Sequence, residues 1–201
     1  MPARPVILRP DGWQAALAQL GQAPLSVARL DVDHFAQLGE SLGRTEAEGL
    51  LRSLERLLSA ELPSGAVVGQ ISEDEYAVLL PETSPETALR LMDMVVRQFA
   101  RHRDPRWPRS VGLSAGVAAQ PAHARTPAEL LLAADEALHR AKREGRGRAC
   151  LYTPAKMVLK SNYYPRSQLD RLKKRAKAEG RSEADVLRAA LEAYLAQEAQ
   201  G

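Results

Sequence analysis

A chain of 201 residues is long enough for one ordinary domain and a small second module, and 45% apolar with 26% charged residues is a globular composition. No run of about 18 apolar residues occurs, Met1 to Pro10 lacks the apolar core of a secretory leader, and the lone Cys150 cannot close an internal disulfide. These features predict a cytoplasmic protein without membrane contact. The net charge of +3 is uneven: from Pro154 onward there are ten basic and six acidic residues, against 18 and 19 before it. A solvated surface explains a mild excess, but one confined to so short a segment also makes a candidate phosphate-binding footprint.

In chain order, Leu25 to Leu30 reads as a buried strand ending at Asp31, and Thr45 to Leu62 carries leucines at helical spacing until Pro63-Ser64-Gly65 stops it. Val67–Ile71 and Tyr76–Leu80 form a strand-turn-strand around Ser72-Glu73-Asp74-Glu75. Ser84 and Pro85 open a helix reaching Arg101, and Asp104 to Arg109 is a loop. Val111 to Ala119 is another strand. Thr126 with Glu129 forms a capping box for a helix to Glu144, Gly145 ends it, and a short strand spans Ala149 to Tyr152. Strands alternating with helices predict an α/β sandwich, a mixed sheet covered by helices. His34, His102, His123 and His139 lack metal-ligand spacing and read as surface or packing residues.

Four separated blocks resemble the GGDEF family of diguanylate cyclases. They are LDVDHFAQLGESLG (residues 30–43), ISEDEYAVLLP (71–81), VGLSAGV (111–117) and AADEALHRAKREGRGR (133–148), which together span roughly residues 25 to 152. The resemblance implies a nucleotide-cyclase-like fold over residues 1–153. It also implies Mg²⁺ with a guanine or other purine nucleotide, two cations activating a hydroxyl and clamping a triphosphate. Carried over by position, the metal ligands are Asp31, the Val32 carbonyl, Asp74 and the adjacent Glu75. The nucleotide contacts are Lys142 and Arg146, four apart and so expected on one helical face, with Glu48 accepting from the base. Each has a plainer explanation as well, because acids are common in turns and cations suit helix C-termini.

The sequence also departs from the family pattern. Gly39 stands where the family's base-reading asparagine falls, and Ala36 replaces a lysine. Ser72 and Glu73 occupy the two glycine positions, where bare backbone would admit the nucleotide. The Arg-x-x-Asp product site is replaced by Pro63 and Ala66. These departures predict a domain that is not an enzyme: a degenerate GGDEF domain serving as nucleotide sensor or dimerisation platform. The alternatives are a nucleotide cyclase of altered substrate choice and a protein-interaction scaffold.

Residues 156–198 resemble a ribbon-helix-helix DNA-binding module of the Arc, MetJ and CopG type. A short polar strand ends at Pro165, a basic amphipathic helix carries Leu169, Leu172 and Ala176 up to Gly180, and Ser182 opens a second helix with Val186, Leu187, Leu191 and Tyr194. About forty residues cannot bury enough surface alone, so a homodimer or higher homo-oligomer is expected. The resemblance implies double-stranded DNA as partner, read by Lys160, Ser161, Asn162 and Tyr163 on the strand, with Arg166 and the Ser182-Glu183 helix start at phosphates. The whole then reads as a dimeric transcription regulator.

Overall fold

In a computed structural model the structure describes residues 5–19, 23–154, 162–179 and 182–198, which fall into two compact units divided in sequence after residue 155. The first unit is built on a six-stranded mixed sheet of order β1-β3-β4-β2-β5-β6. Its strands are β1 (Val6–Leu8), β2 (Leu25–Asp33), β3 (Val67–Gln70), β4 (Glu75–Pro81), β5 (Gly112–Gln120) and β6 (Ala149–Leu151). The helices are α1 (Pro10–Ala18), α2 (Phe35–Leu42), α3 (Arg44–Glu61), α4 (Pro85–Arg101) and α5 (Pro127–Arg143). The central β2 is antiparallel to both β4 and β5, while the outer pairs β1/β3 and β5/β6 are parallel.

Because strand side chains alternate between faces, β2 feeds two cores. Ala28, Leu30 and Val32 join Leu50, Leu54, Leu58, Met92, Val95 and Phe99 of α3 and α4 in the larger one. Leu25 and Val27 join Trp13 of α1 and Leu130, Ala133 and Ala134 of α5 in the smaller one. The next positions on the α5 side are Arg29, Asp31 and Asp33, so the face that begins apolar ends polar.

Two glycines let helices press onto that face. A Cβ at Gly116 of β5 would lie 2.1 Å from the Leu138 nitrogen and 2.2 Å from the Ala134 carbonyl oxygen, so α5 runs at backbone contact over the strand. A Cβ at Gly69 of β3 would lie 2.3 Å from the Trp13 ring, which covers the strand in place of a side chain. The expected caps are made: Ser84 Oγ accepts from Thr87 N–H at 3.3 Å, and Thr126 and Glu129 satisfy each other's backbone.

The elements read from sequence are present, and α2 and the β1-α1 entry are additional. Helix α2 starts at His34, whose left-handed φ of 59° turns the chain sharply out of β2.

In the second unit, α6 (Arg166–Glu179) and α7 (Glu183–Glu198) are two helices in mutual contact, with Ala176 buried. The Val186 N–H donates to the Ser182 carbonyl at the start of α7. The expected polar strand does not extend through Asn162 to Pro165, which are neither strand nor helix. A ribbon strand needs a neighbouring strand for its backbone groups, and this unit supplies none among its described residues. Among the described residues no helix is long and apolar enough to cross a membrane.

Candidate functional site

The site lies where β2 ends, beside the turn between β3 and β4 and beneath the C-terminal end of α5. Asp31 on β2 pairs in register with Glu75 on β4 and with Ser114 on β5, so these positions form one row across the sheet. The Val32 N–H donates to the Asp74 carbonyl at 3.1 Å, fastening the end of β2 to the turn. From above, Lys142 Nζ reaches within 2.6 Å of Asp31 Oδ2, in a pair that is largely buried.

Arg146 faces the same strand but not through helical spacing. Helix α5 ends at Arg143 and closes in a Schellman arrangement, with Arg146 N–H donating to Ala141 O and Gly145 N–H to Lys142 O. Gly145 and Arg146 are both left-handed, at φ of 111° and 61°. That turn brings Arg146 Nε to 3.7 Å from Asp33 Oδ1. The two cations therefore meet two carboxylates of one strand, one from the helix and one from the loop that follows it.

Asp33 is the residue that motif reasoning passed over. Only 2% exposed, it lies with both carboxylate oxygens 2.9 Å from Ser114 Oγ and accepts from Gly147 N–H at 3.2 Å. Burial pushes its carboxyl above the usual range, while the Ser114 and Gly147 hydrogen bonds pull the other way. The signal was present in the sequence: Asp31 and Asp33, two apart on one strand, share a face.

The Ser72-Glu73 turn is tied by Ile71 N–H donating to Glu75 O at 2.8 Å and by Gln70 Nε2 donating to Glu73 O at 3.1 Å. The described non-glycine residues with positive φ are His34, Glu82 and Arg146. Ser72 and Glu73 thus make the turn with ordinary backbone, and both side chains are exposed. Tyr76, fully buried where the family has phenylalanine, donates its hydroxyl to Glu55 Oε1 at 3.3 Å, and burial beside that carboxylate raises its pKa well above the usual value.

The base-side positions are open. A Cβ at Gly39 would meet nothing within 4 Å, and Glu48, on α3, is held by Arg44 at 3.0 Å and Arg52 at 3.7 Å. Among the described residues no three acidic, histidine or cysteine side chains converge to hold a metal. Asp31 is taken by Lys142, Glu75 by Arg29 at 3.3 Å, and Asp74 Oδ1 lies 3.4 Å from Ser72 Oγ. Mg²⁺ is ordinarily held by one or two carboxylates completed by water and substrate phosphates. The hard oxygens of Asp31 and Asp74, linked through Val32, suit that mode.

A family model described as "Diguanylate cyclase, GGDEF domain" matches residues 11–148, well over half of the chain. The chain belongs to the GGDEF family. It is 28% identical over 137 residues to a diguanylate cyclase of Vibrio cholerae, covering 68% of this chain and 43% of the relative. It is 35% identical over 127 residues to the diguanylate cyclase TpbB of Pseudomonas aeruginosa, covering 61% of this chain and 29% of that protein. The chain thus spans less than half the length of these relatives. The solved active GGEEF domain of a diguanylate cyclase from V. cholerae superposes with a TM-score of 0.62 at 27% identity, covering 72% of this chain and 92% of that one. The GGDEF domain of TpbB superposes at 0.63 and 28% identity, over 73% and 91% of the two chains.

These relatives overturn the expectation that the chain is not an enzyme. Both relatives named above are diguanylate cyclases, one of the superposed domains is described as active, and the substitutions at positions 72 and 73 leave the turn in place. Ser72 and Glu73 take ordinary backbone and carry exposed side chains, so the turn that holds Asp74 and Glu75 forms without the two glycines.

Of the DNA-reading candidates, Lys160 and Ser161 lie outside the described residues. Asn162, Tyr163 and Arg166 are exposed before and at the start of α6, and Ser182 and Glu183 are exposed at the start of α7. None of them belongs to the GGDEF domain's site.

Proposed function

We propose that the first unit binds a Mg²⁺-complexed purine nucleoside triphosphate and that two such units join their nucleotides into a cyclic dinucleotide, each 3′-hydroxyl displacing pyrophosphate from the other's α-phosphate, with base choice shifted from the family's usual guanine reading. The observation that carries this is the facing of Lys142 and Arg146 onto Asp31 and Asp33 beside the turn of Asp74. Two cations on one side and carboxylates on the other are what a triphosphate and its divalent counter-ion require.

In this reading Asp31, Asp74 and the Val32 carbonyl, with Glu75 beside them, would hold Mg²⁺, which would supply charge neutralisation at the phosphates. Lys142 exchanges Asp31 for phosphate oxygens, and Arg146 binds the same group from the loop. Asp33, hydrogen-bonded by Ser114 and Gly147, orients the loop that presents Arg146. Glu48 accepts from the base, and the open space before Gly39 relaxes the choice of its edge. Condensing two nucleotides demands two facing copies, so the working form is at least a homodimer. Calorimetric titration of GTP and of ATP with Mg²⁺ tests the reading: binding weakened about 10- to 150-fold in Lys142→Ala supports it, and no heat with either nucleotide refutes it.

For residues 156–198 we infer a dimeric DNA-binding module. The supporting observation is the α6-α7 pair, whose first helix presents Arg166, Arg171, Lys173, Lys174 and Lys177 to solvent while Leu191, Tyr194 and Leu195 of α7 are 51–63% exposed. That apolar face calls for a partner. The basic helix with Asn162 and Tyr163 would then meet the phosphates and bases of a duplex, making the chain a nucleotide-responsive regulator at DNA. A gel-shift series at several salt concentrations checks it: a shallow salt dependence with no specific site would rule it out.

A further inference from the structure

Arg29 lies in the middle of β2, two residues before Asp31, on the face covered by α5. Its side chain is 14% exposed, yet it belongs to neither apolar cluster. Its cross-strand neighbours are Ala77 and Gly116, and Ala77 in turn pairs with Gly69. The α5 backbone closes over Gly116 and the Trp13 ring over Gly69, so the Arg29 side chain is covered on both sides in its row.

The guanidinium is doubly engaged. Nε donates to Asp135 Oδ1 of α5 at 2.6 Å, and the terminal NH2 nitrogen donates to Glu75 Oε2 of the motif turn at 3.3 Å. Asp135 lies seven residues before Lys142, two turns along the same helix. Helix α5 therefore grips the carboxylate row twice, through Asp135–Arg29–Glu75 and through Lys142–Asp31.

We propose that Arg29 is a positioning residue for divalent-cation binding: it fixes the Glu75 carboxylate by one oxygen and leaves the other for a cation beside Asp31 and Asp74. This rests on the Mg-nucleotide reading given above. The shorter bond to Asp135 decides between positioning and mere charge neutralisation. With its charge already balanced by Asp135, Arg29 offers Glu75 a directed hydrogen bond rather than a free positive charge. Removing Arg29 leaves Glu75 and Asp135 as two facing carboxylates, which separate, and the motif acid loses its place in the row. Carboxylates held this way behind a metal typically change its affinity by about 10–100-fold when the holder is removed.

Mn²⁺ binding to the full chain, followed by the paramagnetic resonance of free Mn²⁺ with and without a non-hydrolysable GTP analogue, tests the proposal. Arg29→Met should weaken Mn²⁺ binding about tenfold, Arg29→Lys should restore part of the loss, and Asp135→Asn should weaken it less, by loosening Arg29. If Arg29→Met does not fold, Asp135→Asn on the partly exposed α5 surface decides alone. Wild-type or tighter Mn²⁺ binding in the folded variants would overturn the proposal, since tighter binding is what a simple neutralising cation would give. If the wild-type chain takes up no Mn²⁺ under either condition, the Mg-nucleotide reading itself falls and this proposal with it.

Discussion

Lys142 Nζ sits 2.6 Å from Asp31 Oδ2, with the lysine 28% and the aspartate 11% exposed. In a pair this shielded, the cost of taking both charges out of water offsets much of their attraction, while removing one partner leaves the other uncompensated. Lys142→Ala should accordingly destabilise the fold, by less than the roughly 3–5 kcal/mol of a fully buried pair because both side chains keep some exposure. Its affinity for a Mg-bound triphosphate should fall by about 1.5–3 kcal/mol, the worth of a hydrogen bond to a charged group. Paired denaturation and calorimetric titrations read both numbers.

Gly116→Ala should damage stability and ligand binding together. The added methyl would strike the backbone of α5 at Leu138 and Ala134 rather than a movable side chain, so the helix must lift. Overpacking of this kind costs about 1–3 kcal/mol, and a clash with backbone falls at the upper end. Because α5 carries Lys142 and Asp135, nucleotide affinity should fall with it, whereas Ala118→Gly, further along β5, should leave affinity unchanged.

Gly39→Asn puts an amide into open space on α2, and stability should change by no more than about 0.5 kcal/mol. The amide supplies the base-edge hydrogen bond that glycine lacks. The ratio of GTP to ATP affinity should therefore rise, as competition titrations would show.

Acidification should weaken the fold through His123. Its Nδ1 accepts from Ala119 N–H at 3.0 Å, its ring packs edge-on to Tyr152, and burial lowers its pKa below 6.5 despite the opposing charge of Glu86. The unfolded chain then binds the proton more readily than the folded one. Stability from this group is complete above pH 6.5 and is lost as pH falls through the lowered folded value. Denaturation curves between pH 7.5 and 5 should show that loss in the wild type, and His123→Gln should flatten it.

Most of the sheet and the long helices were legible because their signals are local. Leucine spacing marked α3, Ser84-Pro85 and the Thr126/Glu129 box marked the starts of α4 and α5, and apolar runs marked β2 and β5. Helix α2 was hidden because it is short and begins at a left-handed histidine rather than a capping residue. The site was legible only as a list of residue types. That Arg146 reaches Asp33 depends on a Schellman turn and not on helical periodicity, and that Arg29 joins Asp135 to Glu75 depends on strand register, which no local pattern encodes. Loss of activity was expected because side chains at Ser72 and Glu73 stand where bare backbone would admit a nucleotide; it is the kinship with diguanylate cyclases, which the residue types at these two positions do not reveal, that overturns it.

The most direct measurement is product formation: the full chain incubated with Mg²⁺ and GTP, ATP or both, and the mixture resolved by chromatography against cyclic dinucleotide standards. The site described here predicts a cyclic product from at least one of these nucleotides, abolished by Asp31→Asn and by Lys142→Ala in folded protein. No product from any of them, or product undiminished in both variants, would contradict it.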